Sequence, residues 1–419
     1  MTAFTSRQVL QDLLLDMLSE TRAVGQDRID ALSQADWDAV LSMAREHRIV
    51  PLLDWQLRRV HGHLHLPEAF GRELVRLRQS WTMRLLALQR ELVLVHRLLA
   101  QAGIPHMALK GACLAWHAYP HPALRTMRDL DILVPMDRAV QAYRALLDGG
   151  LTRIDVLPGH PEAALDEEAR KKHLPGLRTA SGTALIELHV RLFHPETGPD
   201  ARADLSESPD FWQRVRTWSI GSDQIPMEGA TDLLLHLIVH TVYEHEFNNG
   251  PLLLSDIAFL LRTAAIDWPL FWRLAAQRRH TRGCALALQL TQRYWNVGGI
   301  DWRGAGSVQV SGQQLDLAAL LMLRSYHDRS EVAFQAGVAG RYSALGKLRF
   351  VLGRVFLPRA RLAARYPAHA SSWRIYLWYF AYWRLLMKEW LPRLWQARRE
   401  SSLRGEVNRL VAFRTWLQE

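Results

Sequence analysis

Apolar residues recur at helical spacing over most of this chain, but between Gly103 and Phe193 the period drops to two. Before that stretch, Trp37, Val40, Leu41 and Ala44 mark one helix, and residues 72–102 form a long amphipathic helix stopped by Gly103. Within it, Ile104–Leu109 reads as a short strand and Gly111–Tyr119 as a short helix, followed by a Pro-containing loop over Pro120–Thr126. Leu130–Val134 is a strand by its β-branched content, Asp137–Asp148 a helix closed by Gly149 and Gly150, and Leu151–Leu157 a further strand. A charged loop (EEARKKH) leads to Ala184–Phe193, where apolar and polar residues alternate. Helical spacing returns over 229–297 and 312–419, punctuated by Pro358, Pro367 and Pro392. The pattern predicts an α+β protein, a small mixed sheet with helices embedded in a predominantly helical chain. Its expected parts are an N-terminal helical region (1–102), an α/β core (103–228), a helical region flanking the cleft (229–300) and a C-terminal helical region (301–419).

Charge separates these parts. Residues 341–419 carry 16 Lys/Arg against 4 Asp/Glu, or +12, so the rest of the +10 chain sums to −2. This basic, aromatic-rich segment predicts contact with a polyanion or a membrane surface, or else solvated helix faces. Its most apolar run, Ile375–Trp383, is too short to span a bilayer and ends in Arg384, so no transmembrane segment is expected. A buried aromatic helix is the favoured reading of that run, with an interfacial helix as the alternative. Only Cys113 and Cys284 are present, which fits a reducing compartment, and the N-terminal stretch lacks the order of a secretory signal. Both point to a cytoplasmic location.

The chemistry concentrates at Arg128-Asp129-Leu130-Asp131-Ile132-Leu133-Val134. Side chains alternate in a strand, so Asp129 and Asp131 project from one face while Leu130, Ile132 and Val134 project from the other. Adjacent carboxylates at the mouth of an apolar strand repel one another unless a cation lies between them, and a hard ion such as Mg²⁺ suits oxygen ligands. A second strand, Leu185–Leu192, buries Ile186, Leu188, Val190 and Leu192 and sets Glu187, His189 and Arg191 on its polar face. Paired with the first strand, it would bring Glu187 beside the aspartates. Upstream, Leu109-Lys110-Gly111-Ala112 is a strand ending that opens a helix. Such a junction offers backbone N–H groups and a positive dipole to an anion, with Lys110 as an added charge and glycine allowing close approach.

Strand–Gly–helix, then D-x-D, then a later strand bearing an acid, resembles the polymerase-β-like nucleotidyltransferase superfamily. More closely, the chain resembles the uncharacterised bacterial nucleotidyltransferases. The resemblance runs through WDAVLSMAREHRIVPLL (37–53), LKGACL (109–114), R-x-x-R-D-L-D-I-L-V (125–134), ELHVRLF (187–193), the helices at 233–262 and FLPRARLAARYP (356–367). It departs from the superfamily pattern at the usual Gly-Ser pair, which is Gly111-Ala112 here. The resemblance implies a polymerase-β-like core and transfer of an NMP from an NTP, ATP among the candidates. Asp129, Asp131 and Glu187 would be the catalytic acids and hold Mg²⁺ (or Mn²⁺), while Lys110, Gly111, Ala112, Arg125 and Arg128 bind the nucleotide. His189, His240 and Asp256 would support this set.

Weaker signals carry plainer readings. His61, His63 and His65 alternate in a loop next to Pro67 and read as solvent-exposed. His236, His240 and Glu244 fall at i, i+4 and i+8, a spacing that can ligate zinc but better suits a polar helix lining the cleft. Asp256 follows Ser255 as an expected helix-start cap, with substrate contact as its functional alternative. GRYSALGK (340–347) fails as a phosphate loop, because Arg341 stands where glycine must. The leading reading is therefore an NMP transferase with an unidentified acceptor: a small molecule, sugar or peptide hydroxyl. An RNA- or tRNA-modifying transferase and a catalytically inactive scaffold stand against it.

Overall fold

The computed structural model describes residues 6–154, 172–195, 203–325, 352–353, 355–363, 366, 371–397 and 401–418. The GRYSALGK segment and most of the charged loop before Ala184 lie outside these residues. The chain divides into two compact units, the first comprising 1–152 and 177–324, the second 153–176 and 325–419.

The first unit is built on a seven-stranded mixed sheet: β1 (Met107–Ala108), β2 (Asp129–Leu133), β3 (Thr152–Arg153), β4 (Leu177–Arg178), β5 (Leu185–His189), β6 (Arg216–Ile220) and β7 (Asp223–Met227). Their spatial order is β3-β4-β5-β2-β1-β7-β6. Strand β2 pairs parallel with β5 and antiparallel with β1, so the two strands expected to carry acids are immediate neighbours. Leu130, Ile132, Ile186 and Leu188 are buried, while Asp129, Asp131 and Glu187 are half-buried on the alternate face. Period-2 alternation thus sends one face of both strands into the core and keeps the acids together on the other.

Several elements are shorter than expected. The strand predicted over Ile104–Leu109 pairs only at Met107–Ala108, and that over Ala184–Phe193 ends at His189. Beyond it, the Leu192 and Phe193 N–H groups donate to the Asp204 carboxylate, each at 3.0 Å. A side chain therefore replaces the neighbouring strand. The hairpin β6–β7 is an addition that the sequence reading did not anticipate. Its two-residue turn, Gly221-Ser222, places Gly221 at φ 60°, a left-handed conformation suited to glycine. Pro226 within β7 argues against a strand from sequence, and here it occupies the sheet's second-outermost strand.

Helices enclose the sheet. The long helix Glu68–Gln101 forms as expected and buries Leu74, Leu85, Leu88, Leu92, Val95 and Leu99, one stripe at three- and four-residue spacing. A second group comprises Ala230–Val239, Leu252–Thr263, Trp268–Gln277 and Thr281–Tyr294. His61 corrects the expectation of an exposed histidine loop, because it is buried with Nε2 at 3.3 Å from the Ser19 carbonyl. His63 and His65 are exposed.

In the second unit, Leu362, Ala363, Ile375 and Tyr382 form a small core. The helix Leu377–Ala397 begins within the aromatic run, and Trp383 donates its indole N–H to the Val355 carbonyl at 2.8 Å. The run is not buried as a whole, which corrects the favoured reading: Tyr376, Leu377 and Phe380 are exposed. Among the described residues no helix is long and apolar enough to cross a membrane.

Candidate functional site

The β2–β5 register sets Asp131 directly across from Glu187, with Asp129 two residues earlier on the same face. The carboxylate constellation expected from the sequence is therefore assembled by backbone pairing alone. His189, two residues beyond Glu187, is buried and brings Nε2 to 2.8 Å from Asp131 Oδ1 and 3.6 Å from Glu187 Oε2. It meets Asp131 first, and Glu187, its neighbour on the strand face, at longer range. Ligand atoms of Asp131, Glu187 and His189 all lie within 4.8 Å of one another.

Lys110 opens the helix Lys110–His117, buried and in the left-handed region at φ 46°. A side chain there costs about 1–3 kcal/mol, so the surrounding contacts must hold it. They do so from two sides. Its backbone N–H donates to Glu228 Oε2 at 3.3 Å, and its ammonium lies 3.2 Å from Asp131 Oδ2. Ala112 N–H donates to the Leu109 carbonyl at 3.1 Å. Two of the N–H groups expected to face an anion are thus already engaged by the protein. Gly111 has a different use from the one anticipated: a Cβ there would meet Arg125 Nη1 at 3.2 Å, so its bare backbone makes room for a guanidinium.

That guanidinium is committed elsewhere. Arg125 Nε and Nη2 bind the two oxygens of Asp256 at 2.8 and 2.9 Å, and Nη1 donates to the Thr126 carbonyl at 2.8 Å. Tyr119 donates its hydroxyl to Asp256 Oδ1 at 2.6 Å. Asp256 is the fifth residue of the helix Leu252–Thr263, not its cap. Burial among apolar neighbours forces an acid there to find a cation, which overrides its capping preference. Arg128 is exposed beside the mouth of β2.

His236 and His240 part company. His236 is fully buried with Nδ1 at 2.8 Å from Glu228 Oε1, whereas His240 Nδ1 lies 2.8 Å from Glu244 Oε2. Two groups near the site escaped sequence reasoning. Glu228 follows β7 in an apolar stretch, and that context was a usable signal. Arg48, in the left-handed region at φ 59°, is a cation whose charge acts on Asp129. His245, which shows no clear pattern in the sequence, lies beside His240.

Electrostatics ranks the acids. Burial acts to raise the Asp131 carboxyl, but Lys110 and His189 outweigh it and hold it well below the usual carboxylate range. Asp129 is pushed up to about 6, by burial first and then by the like charges of Asp131 and Glu187. Burial first, and then the like charge of Asp131, raise Glu228 to about 8 against the opposing pull of Lys110. Burial would lower the Lys110 ammonium, yet Asp131, Glu244 and Asp129 raise it on balance. Three carboxylates on one rim, one of them pushed up by the other two, form an oxygen donor set whose repulsion a divalent cation relieves. The residues present therefore fit such an ion.

No curated protein matches this chain. A family model described as uncharacterised nucleotidyltransferase matches residues 33–296, from before the first sheet strand through the helices that carry His240 and Asp256. With the match covering more than half its length, the chain belongs to the uncharacterised nucleotidyltransferase family.

Proposed function

We propose that this chain moves a nucleoside monophosphate from a nucleoside triphosphate to an acceptor hydroxyl, using Asp129, Asp131 and Glu187 to hold divalent magnesium or manganese. The register that pairs Asp131 with Glu187 on adjacent parallel strands, with Asp129 on the same face, carries this reading. When bound there, a divalent cation supplies charge neutralisation for phosphate oxygens and acidifies a hydroxyl. The remaining work falls to the chain. Lys110 and Arg48 bring positive charge to the carboxylate rim, and exposed Arg128 offers a fork that matches phosphate oxygens. Arg125 acts as a positioning residue, since its guanidinium is held by Asp256 and packs against Gly111. His189 orients Asp131, and Glu187, 29% exposed, is the acid best placed to accept a proton from an incoming hydroxyl. The acceptor class is a small molecule, a sugar or a peptide hydroxyl.

Incubation with each α-labelled nucleoside triphosphate and Mg²⁺ or Mn²⁺, with and without cell extract, tests the reading. Label transfer should fall at least ~10³-fold in Asp131→Asn, the loss of several kcal/mol of charge stabilisation. Unchanged transfer in that variant, with the fold intact by circular dichroism, removes the proposal.

A further inference from the structure

Beside the carboxylate rim the helix Ala230–Val239 changes its winding. Residues His240–Glu244 form a π-helical turn, closed by the His245 N–H donating to the His240 carbonyl at 3.1 Å. In an α-helix, residues five apart point about 140° away from each other. An i→i+5 turn instead stacks them, and the His240 and His245 rings stand 4.4 Å apart, centroid to centroid, at 74°. The chain then passes through two successive left-handed residues, Glu246 at φ 51° and Phe247 at φ 61°. Such positions are strained in non-glycine residues. The Phe247 N–H to the Thr241 carbonyl (2.8 Å) and Arg324 Nη2 to the Glu246 carbonyl (3.1 Å) hold them in place. Isolated π-turns and local strain concentrate where side chains must converge.

What converges here is a ligand set. His240, Glu244 and His245 each offer an atom, and all lie within 4.8 Å of one another. Glu244 is already oriented, because its Oε1 accepts the His194 N–H at 2.8 Å while Oε2 meets His240. This is the outer-sphere support that metal-binding carboxylates receive. Bonds of about 2.1 Å require the His240–Glu244 pair, now at 2.8 Å, to open and any wider contact to close, each by side-chain rotation on the order of 1 Å.

We propose that His240, Glu244 and His245 bind one transition-metal ion of the zinc, cobalt or nickel class, at a site separate from the carboxylate rim. Two imidazoles and one carboxylate suit a borderline ion, whereas magnesium prefers oxygen alone. Three protein ligands leave a position open to water or a substrate oxygen. The site adjoins the proposed reaction centre: His240 is among the charges that lower Asp131, and Glu244 among those that raise Lys110.

Metal-stripped full-length protein titrated with Co²⁺ tests this, read by bound cobalt per chain after desalting and by the visible absorption of nitrogen-ligated cobalt. Asp131→Asn removes the neighbouring carboxylate cluster from the count, and His245 is exposed, so truncating it spares the core. The Asp131→Asn variant should retain one cobalt with its absorption band, and the Asp131→Asn/His245→Ala variant should lose both. Equal cobalt in the two variants, or none in either, overturns the site. Both results are independent of nucleotide transfer, so this site can fail while the function proposed above stands, or stand while that function fails.

Discussion

Two buried acid–base pairs flank the helix Lys110–His117, and they differ in how far each is committed. Arg125 grips Asp256 through two parallel hydrogen bonds, Tyr119 adds a third, and the Asp256 side chain is 3% exposed. Lys110 meets Asp131 at a single point, and Asp131 remains 12% exposed on a rim with two other acids. A bidentate pair sealed in apolar surroundings is architecture. A one-point ammonium on an accessible carboxylate is a cation that another cation can replace. The same two charge types therefore serve opposite ends within one fold.

The widest test of this contrast removes the arginine. Arg125→Ala leaves Asp256 buried with the Tyr119 hydroxyl but without its guanidinium, which should destabilise the protein by about 3–5 kcal/mol. Urea unfolding followed by tryptophan fluorescence measures it. The joint replacement Arg125→Met with Asp256→Leu should recover much of that loss, because two apolar groups leave no orphaned charge. A cost below about 1 kcal/mol for Arg125→Ala would place it with surface pairs and erase the distinction.

The same contrast explains what could be read in advance. Asp129, Asp131 and Glu187 were legible because a strand ties sequence spacing to facing direction, and parallel pairing then aligns two such patterns. The fates of Lys110 and Arg125 were not. A lysine before a helix-opening glycine reads alike whether its ammonium turns to a ligand or to an acid 21 residues on. Arg125 and Asp256 are 131 residues apart, and only the packing of the helix Leu252–Thr263 against its neighbours joins them. A signal did exist at Asp256, a lone acid within LLLSDIAFLL that had to be paired if buried. At His240 the i, i+4 spacing does bring Glu244 to 2.8 Å, while His236 turns to the buried Glu228. His245 joins His240 only through a π-turn, which α-helical spacing does not anticipate.

A middle-sized effect should separate the pairs directly. Lys110→Met strips Asp131 Oδ2 of its ammonium, leaving His189 on Oδ1, and should cost about 1–3 kcal/mol in chelator, the penalty of a buried acceptor atom that loses its partner. Millimolar Mg²⁺ should restore most of that stability, since a divalent ion can occupy the vacated charge position. Mg²⁺ should do nothing for Arg125→Ala. Parallel unfolding curves with and without Mg²⁺ would decide it, and failure of Mg²⁺ to rescue Lys110→Met would mean that Lys110 is as structural as Arg125.

The most gradual effect comes from a third buried acid, Glu228. It accepts from the Lys110 backbone N–H and meets His236, and burial raises its carboxyl to about 8. Its folded pKa lies above the ordinary 4.5, so from 4.5 to about 8 the unfolded chain releases a proton that the folded chain keeps. Folded stability must therefore fall as pH rises through that window and level off above it. Glu228→Gln keeps a hydrogen-bonding side chain but cannot ionise, so its stability should not share this fall. The variant should gain on the parent by up to about 1.4 kcal/mol per pH unit from pH 6 to 8, the slope of one proton, and level off above. Urea midpoints at pH 6, 7, 8 and 9 measure the gap. If the two profiles run parallel, Glu228 is ionised throughout and draws on the Lys110 charge as Asp131 does, which would merge the two carboxylates into one network around that lysine.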